Sequence, residues 1–269
     1  MMPVDFTRLV ADLAAESAEL VAMLEAPLAS DPTLLQRPTP AEGWAVADQL
    51  AHLAYVDEVL MLAMADPMEF RVVRDMALAG GGDIAKLATE RHEQRAAGTL
   101  LEWFQEARGR LVPALGADDP RRRVPWFGPD MSLASAATAR LMETWAHGQD
   151  VADAIGVWRR ATSRLQHVAD LGVRTYAFSF AVRGLEAPQV PVRVELVGPH
   201  LEEWSWGPAD AGDVVKGAAE EFCLVVTQRR HLAATSLQVE GVTARAWMSI
   251  AQAFAGSPTT TAEGRSPVG

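Results

Sequence analysis

The 269-residue chain holds one cysteine, Cys223. That excludes an intramolecular disulfide and points to a reducing, cytoplasmic setting. No uninterrupted apolar stretch reaches the roughly 18 residues that a bilayer span needs, so no membrane partner is expected. Basic residues are scarce: 24 Lys and Arg against 35 Asp and Glu leave a formal charge of −11. Such a chain lacks the basic surface that duplex nucleic acid requires, and it is poorly suited to anionic membranes. The opening residues Met1-Met2-Pro3-Val4-Asp5-Phe6 show no basic region followed by an apolar run, so no signal peptide is expected.

Apolar residues are plentiful, at 49% of the chain, enough for a sizeable core in one large domain or two smaller ones. Their spacing predicts helix through the first two thirds. Leu9, Val10, Leu13, Leu20, Val21 and Leu24 form a stripe of period near 3.6 over about 5–24. The segment 28–43 carries Pro32, Pro38 and Pro40 and reads as a loop. Further helices are expected at about 45–64, 68–79, 83–97 and 98–115. An irregular stretch, 116–130, precedes one that starts at an N-cap Ser132 and stops at Gly156. Four long helices with these connections predict an antiparallel bundle.

The pattern then changes. A helix over 162–181 leads into the alternating segment Val190–Val197, a strand signal. Strands are also expected at 201–206, 213–216 and 236–240, and helices at 218–230 and 243–254. The expected fold class is therefore mainly α with an α+β C-terminal part. The expected domains are a four-helix bundle over 1–160, a small α+β domain with a leading helix over 161–256, and a disordered polar tail over 257–269.

Two histidines and a glutamate carry the chemistry. Glu143 and His147 are four apart, so on a helix they share one face, and His52 stands in the earlier helical segment 45–64. Two imidazoles and a carboxylate suit catalytic zinc, with a fourth position open, although nickel, iron or manganese would accept the same donors. Asp150, three beyond His147, has the spacing to accept the proton on that ring's other nitrogen. Arg140 could anchor Glu143 or a substrate carboxylate. The loop Arg121–Arg123 offers further cations, and Trp126 and Trp145 are candidate pocket linings. Cys223, in an apolar helix, reads as a buried small hydrophobe rather than a nucleophile.

Two segments together, Gly43-Trp44 with Asp48-Gln49-Leu50-Ala51-His52-Leu53, and Arg140-x-x-Glu143-x-x-x-His147-x-x-Asp150, resemble the mycothiol-dependent maleylpyruvate isomerase family. That family lies within the DinB/YfiT-like superfamily of metal-binding four-helix bundles, and the stretch Val124–Ser132 is similar to an actinobacterial branch of it. The resemblance implies a DinB-like bundle with a small C-terminal domain, and zinc on His52, Glu143 and His147. It also implies a low-molecular-weight thiol such as mycothiol as cofactor, and a small electrophilic substrate that is isomerised or takes up sulfur. Arg229 falls where the isomerase has an arginine near the active-site mouth, with Gln228 in place of a glycine. Two alternatives stay open: a metal-stabilised binding protein without catalysis, and a hydrolase using zinc-activated water.

Overall fold

The computed structural model describes residues 5–82, 84–93 and 99–254. The polar tail 257–269 lies outside them, as do Asp83 and 94–97 of the expected fourth helix. The chain divides into two compact units, Met1–Val157 and Trp158–Gly269.

The first unit is built on four long helices. Helix α1 (Phe6–Ser30) starts where the Asp5 carboxylate accepts the Arg8 N–H at 3.1 Å, satisfying one of the donors a helix start leaves open. Its stripe Leu9, Leu13, Leu20 and Leu24 is at most 1% exposed. Each such leucine contributes about 1.5–3 kcal/mol through burial. A single 3-10 turn (Pro32–Gln36) leads to α2 (Val46–Ala65), where the Asp48 carboxylate accepts the Ala45 N–H at 2.8 Å. Helices α3 (Pro67–Ala79) and α4 (Ile84–Glu93) pack on α2. Helix α5 (Leu100–Gly116) opens with a Thr99/Glu102 capping box. A two-residue ladder, β1 (Arg123–Val124) against β2 (Met131–Ser132), delivers the chain to α6 (Leu133–Ile155). Gly156 ends that helix in the left-handed region, φ 73°, which glycine enters without a Cβ penalty.

Helix α1 packs against α5 and α6, and α2 packs against the same two. Residues on α2 and α6 pair in opposite order, Gln49 with His147 and Asp57 close to Thr144 through Arg108, so those helices run antiparallel. The level at which all four meet is polar. Arg108 of α5 donates to both Asp57 oxygens on α2 at 2.6 and 3.1 Å, to Thr144 on α6 at 3.1 Å, and to Ser17 on α1. Asp57 is wholly buried, so this pair must satisfy itself.

The second unit begins with α7 (Leu165–Arg174) and α8 (Tyr176–Ala181). Four strands follow: β3 (Val192–Val197), β4 (Glu203–Trp206), β5 (Asp213–Ala218) and, after α9 (Ala219–Val226), β6 (Gln238–Glu240). Their order is β4-β3-β5-β6, with β3 and β5 parallel and the other pairs antiparallel. Helices α9 and α10 (Val242–Met248) pack on this sheet.

The mainly helical bundle followed by a small α+β part is thus the expected class, with local departures. Helix α1 runs through Pro27 to Ser30, because the missing proline N–H removes one bond while Asp31 N–H closes the last turn on Pro27 O at 2.8 Å. The helix expected over 162–181 is broken at Thr175. Its hydroxyl donates back to Leu171 O and Gly172 O at 2.9 and 3.0 Å, the side-chain competition that weakens a helix interior. Helix α9 stops at Val226, four residues early, because Gln228 adopts φ 60° and the Arg229 and Arg230 N–H groups both turn back onto Leu224 O. Helix α10 stops at Met248. The chain turns at Ser249 and Ile250 and leaves the helical path, with Gln252 N–H on Ser179 Oγ and Ala253 N–H on Val226 O. The β1–β2 ladder was not expected, being too short to leave an alternation.

Candidate functional site

Helix α6 is buried on nearly every face between Arg140 and Ala152, and its period of 3.6 stacks Glu143 beneath His147. The antiparallel packing of α2 brings His52 opposite them. The ligand atoms of His52, Glu143 and His147 all lie within 4.8 Å of one another. His147 Nε2 is 2.9 Å, and His52 Nε2 3.7 Å, from the same oxygen, Glu143 Oε2. The two imidazole centroids are 4.6 Å apart. Among the described residues, this is the one cluster of three or more His, Cys, Asp or Glu side chains with such convergence.

The Trp44 indole packs against both imidazoles, with centroids at 5.5 Å from His52 and 5.7 Å from His147. Burial pushes the Glu143 carboxyl upward, but the hydrogen bond with His147, the adjacent His52 ring and the charge of Arg140 hold it well below the usual range. It is therefore a carboxylate at neutral pH.

A hydrogen-bond chain sets the tautomer of His147. The Thr39 hydroxyl donates to Trp44 O at 2.8 Å, which spends its only proton. It must then accept from Gln49 Nε2, 2.8 Å away. That orients the Gln49 carbonyl oxygen towards His147 Nδ1, so Nδ1 donates and Nε2 is the nitrogen turned towards Glu143 and the cluster. Gln49 was missed in the sequence. The signal was its position one turn before His52, but nothing local distinguished it from a surface glutamine.

The other predicted residues are placed as follows. Asp150 is 1% exposed, three residues beyond His147. Arg140 is 5% exposed, with its Cζ 6.0 Å from the centroid of Trp126. Trp126 stacks on Phe70, centroids 5.9 Å apart. Trp145 is buried in α6, two residues from Glu143 and so about 200° around the helix from it. In the loop before α6, Arg122 pairs with Asp118 and with Met64 O, and Arg123 donates to Asp130 O. Arg229 belongs to the second unit, where its Nη1 donates to Thr227 O at 2.7 Å. Cys223 is buried, and burial pushes its thiol well above the ordinary value, which makes it a packing residue and a poor nucleophile.

A family model for the mycothiol maleylpyruvate isomerase N-terminal domain matches residues 7–152, the span that contains the cluster. The chain belongs to that family. The family inferred from the segments around His52 and Glu143 is therefore the right one. Two Mycobacterium tuberculosis proteins, from strains H37Rv and CDC 1551 / Oshkosh and both named only as uncharacterized, are 48% identical over 250 residues. The match covers 93% of this chain and 96% of theirs. A crystal structure of the mycothiol-dependent maleylpyruvate isomerase superposes with a TM-score of 0.56 at 16% identity, over 85% of this chain and 90% of that one. At that identity the likeness is one of fold. Among the described residues no helix is long and apolar enough to cross a membrane.

Proposed function

We propose that this chain is a divalent-metal enzyme, most simply a zinc enzyme, that uses a low-molecular-weight thiol such as mycothiol on a small electrophilic substrate. The observation that carries this is the convergence of His52, Glu143 and His147 within the matched domain. These three side chains would hold the metal, and the donor set fits it. The carboxylate is ionised although largely buried. His147 is held through Nδ1 on Gln49, which leaves Nε2 as the nitrogen that would lose its proton to bind the metal. His52 Nδ1 is buried without a hydrogen bond among the described residues, and the ring's other nitrogen faces the shared carboxylate. A bound zinc would act as a Lewis acid that keeps the thiol ionised at neutral pH, the thiolate being the nucleophile for isomerisation or S-transfer.

The protein's own contribution is positional. Gln49, Thr39 and Trp44 keep His147 from rotating, and the Trp44 ring shields both imidazoles from solvent. Structural zinc sites close with four protein donors. Three converge here among the described residues, which favours a site with an open position over one that only stabilises the bundle.

The first test is metal analysis of the purified protein beside His52→Ala, followed by titration of mycothiol into the metal-loaded form. Near-stoichiometric zinc, lost in His52→Ala and coordinated by sulfur on titration, is expected. Stoichiometric metal that ignores the thiol would move the assignment to hydrolysis or to a structural role, and absence of metal from both proteins would end it. Gln49→Leu, which keeps all three ligands, is expected to weaken zinc binding about 10- to 100-fold, the usual loss when the residue orienting a ligand is removed. A competition titration with a chromogenic chelator measures it; unchanged affinity would show that the Thr39–Gln49 chain does not set the tautomer.

A further inference from the structure

Arg140 is the charged side chain that the proposal above leaves without a role. It lies one turn before Glu143 on the same face of α6 and is 5% exposed. Its Nη1 is buried without a hydrogen bond, and among the described residues no ion pair reaches the guanidinium. The neighbouring arginines are committed: Arg108 to Asp57, Arg122 to Asp118, Arg123 to a backbone carbonyl. A cation buried without a hydrogen-bonded anion is costly. The Trp126 ring 6.0 Å away offsets part of that cost through cation–π attraction, but it cannot satisfy the N–H donors.

The local charge balance says what is missing. The groups acting electrostatically on Arg140 are Glu143, Asp57 and Arg108. With Arg140 itself these are two cations and two carboxylates, which cancel. A divalent ion on Glu143 and two neutral imidazoles would leave this buried region with two positive charges in excess. A thiolate removes one of them. The second calls for another anion, and Arg140 has the unused donors, in the planar fork that matches a carboxylate.

The geometry points to Arg140 as the carboxylate-binding residue of this site, favouring a carboxylate-bearing ligand over its neutral analogue. This rests on the metal-and-thiol proposal and adds to it a named selecting residue.

Crotonate, an unsaturated monocarboxylate, and crotonamide, its neutral isostere, are suitable probes. Each is titrated into zinc-loaded wild type, Arg140→Met and Arg140→Lys, with binding read by calorimetry and tryptophan emission and zinc content measured in parallel. Wild type is expected to bind crotonate at least 10-fold more tightly than crotonamide. Arg140→Met should lose that preference while keeping its zinc, and Arg140→Lys should retain part of it. Crotonate bound equally well by Arg140→Met would place the carboxylate on the metal and overturn the inference, as would equal binding of acid and amide by wild type. Should Arg140→Met not fold, Arg140→Gln decides by calorimetry: crotonate bound as tightly as by wild type places the anion elsewhere. If wild type takes up no zinc, the metal proposal fails on that measurement alone. The acid-over-amide preference of the metal-free protein, and its loss in Arg140→Met, then decides Arg140 separately.

Discussion

Glu143→Gln is expected to lower zinc affinity by more than about 100-fold while leaving the bundle folded. The substitution preserves shape and removes one charge. Losing a residue that merely orients a ligand costs about 10- to 100-fold, and Glu143 is proposed as a ligand and as the only anionic one. Its Oε2 is the atom on which both imidazoles converge, at 2.9 and 3.7 Å, so a neutral amide there leaves two nitrogens and no charge to oppose a divalent cation. Zinc affinity and circular dichroism measured together check it: retained affinity would sink the ligand assignment, whereas lost affinity with lost structure would require the milder Glu143→Asp.

The same substitution carries a pH signature in the metal-free protein. The folded carboxyl lies well below its ordinary value. Its hydrogen bonds therefore contribute stability that is fully present above the unfolded pKa, about 4.3, and is lost as pH falls through the folded one. The stability advantage of wild type over Glu143→Gln should thus shrink on acidification below about pH 4.

Arg108→Met is expected to destabilise the first unit by about 3–5 kcal/mol, the cost of leaving a buried carboxylate without its partner. Asp57 is wholly buried, and both of its oxygens face this guanidinium at 2.6 and 3.1 Å. The methionine cannot supply the donors that Ser17 and Thr144 also use. The double variant Arg108→Met/Asp57→Leu should recover much of the loss, because replacing both members of a buried pair by apolar residues removes the stranded charge. Urea unfolding of the single and double variants tests this. Additive losses, or a single-variant cost under about 1 kcal/mol, would mean that the four-helix polar level is wetter than its burial indicates.

Local rules account for most of what could be read in advance. Asp5, Ser132 and Gly156 bound their helices through caps that depend on neighbours a few residues away. The α1 stripe and the alternation in 192–197 follow from the two side-chain periods. Where the expected elements failed, a contact distant in sequence intervened. The segment after Met248 has the composition of a helix, yet the backbone of Gln252 and Ala253 is held by Ser179 and Val226 instead. The β1–β2 ladder exists because two short segments meet, and four residues carry no detectable period.

The candidate site divides in the same way. By itself the sequence determined that Glu143 and His147 share a face, since four residues make just over one turn. It also determined the residue types that mark the family, and the acidic, cysteine-poor composition. Only the tertiary structure decided that α2 packs on α6 so that His52 reaches the same carboxylate oxygen. It also decided that Gln49 and Thr39 set the tautomer of His147, that Trp44 is the indole against the imidazoles, and that Arg140 Nη1 is buried without a hydrogen bond. Helical periodicity places side chains around one axis, whereas those pairings depend on which face of one helix packs against which face of another.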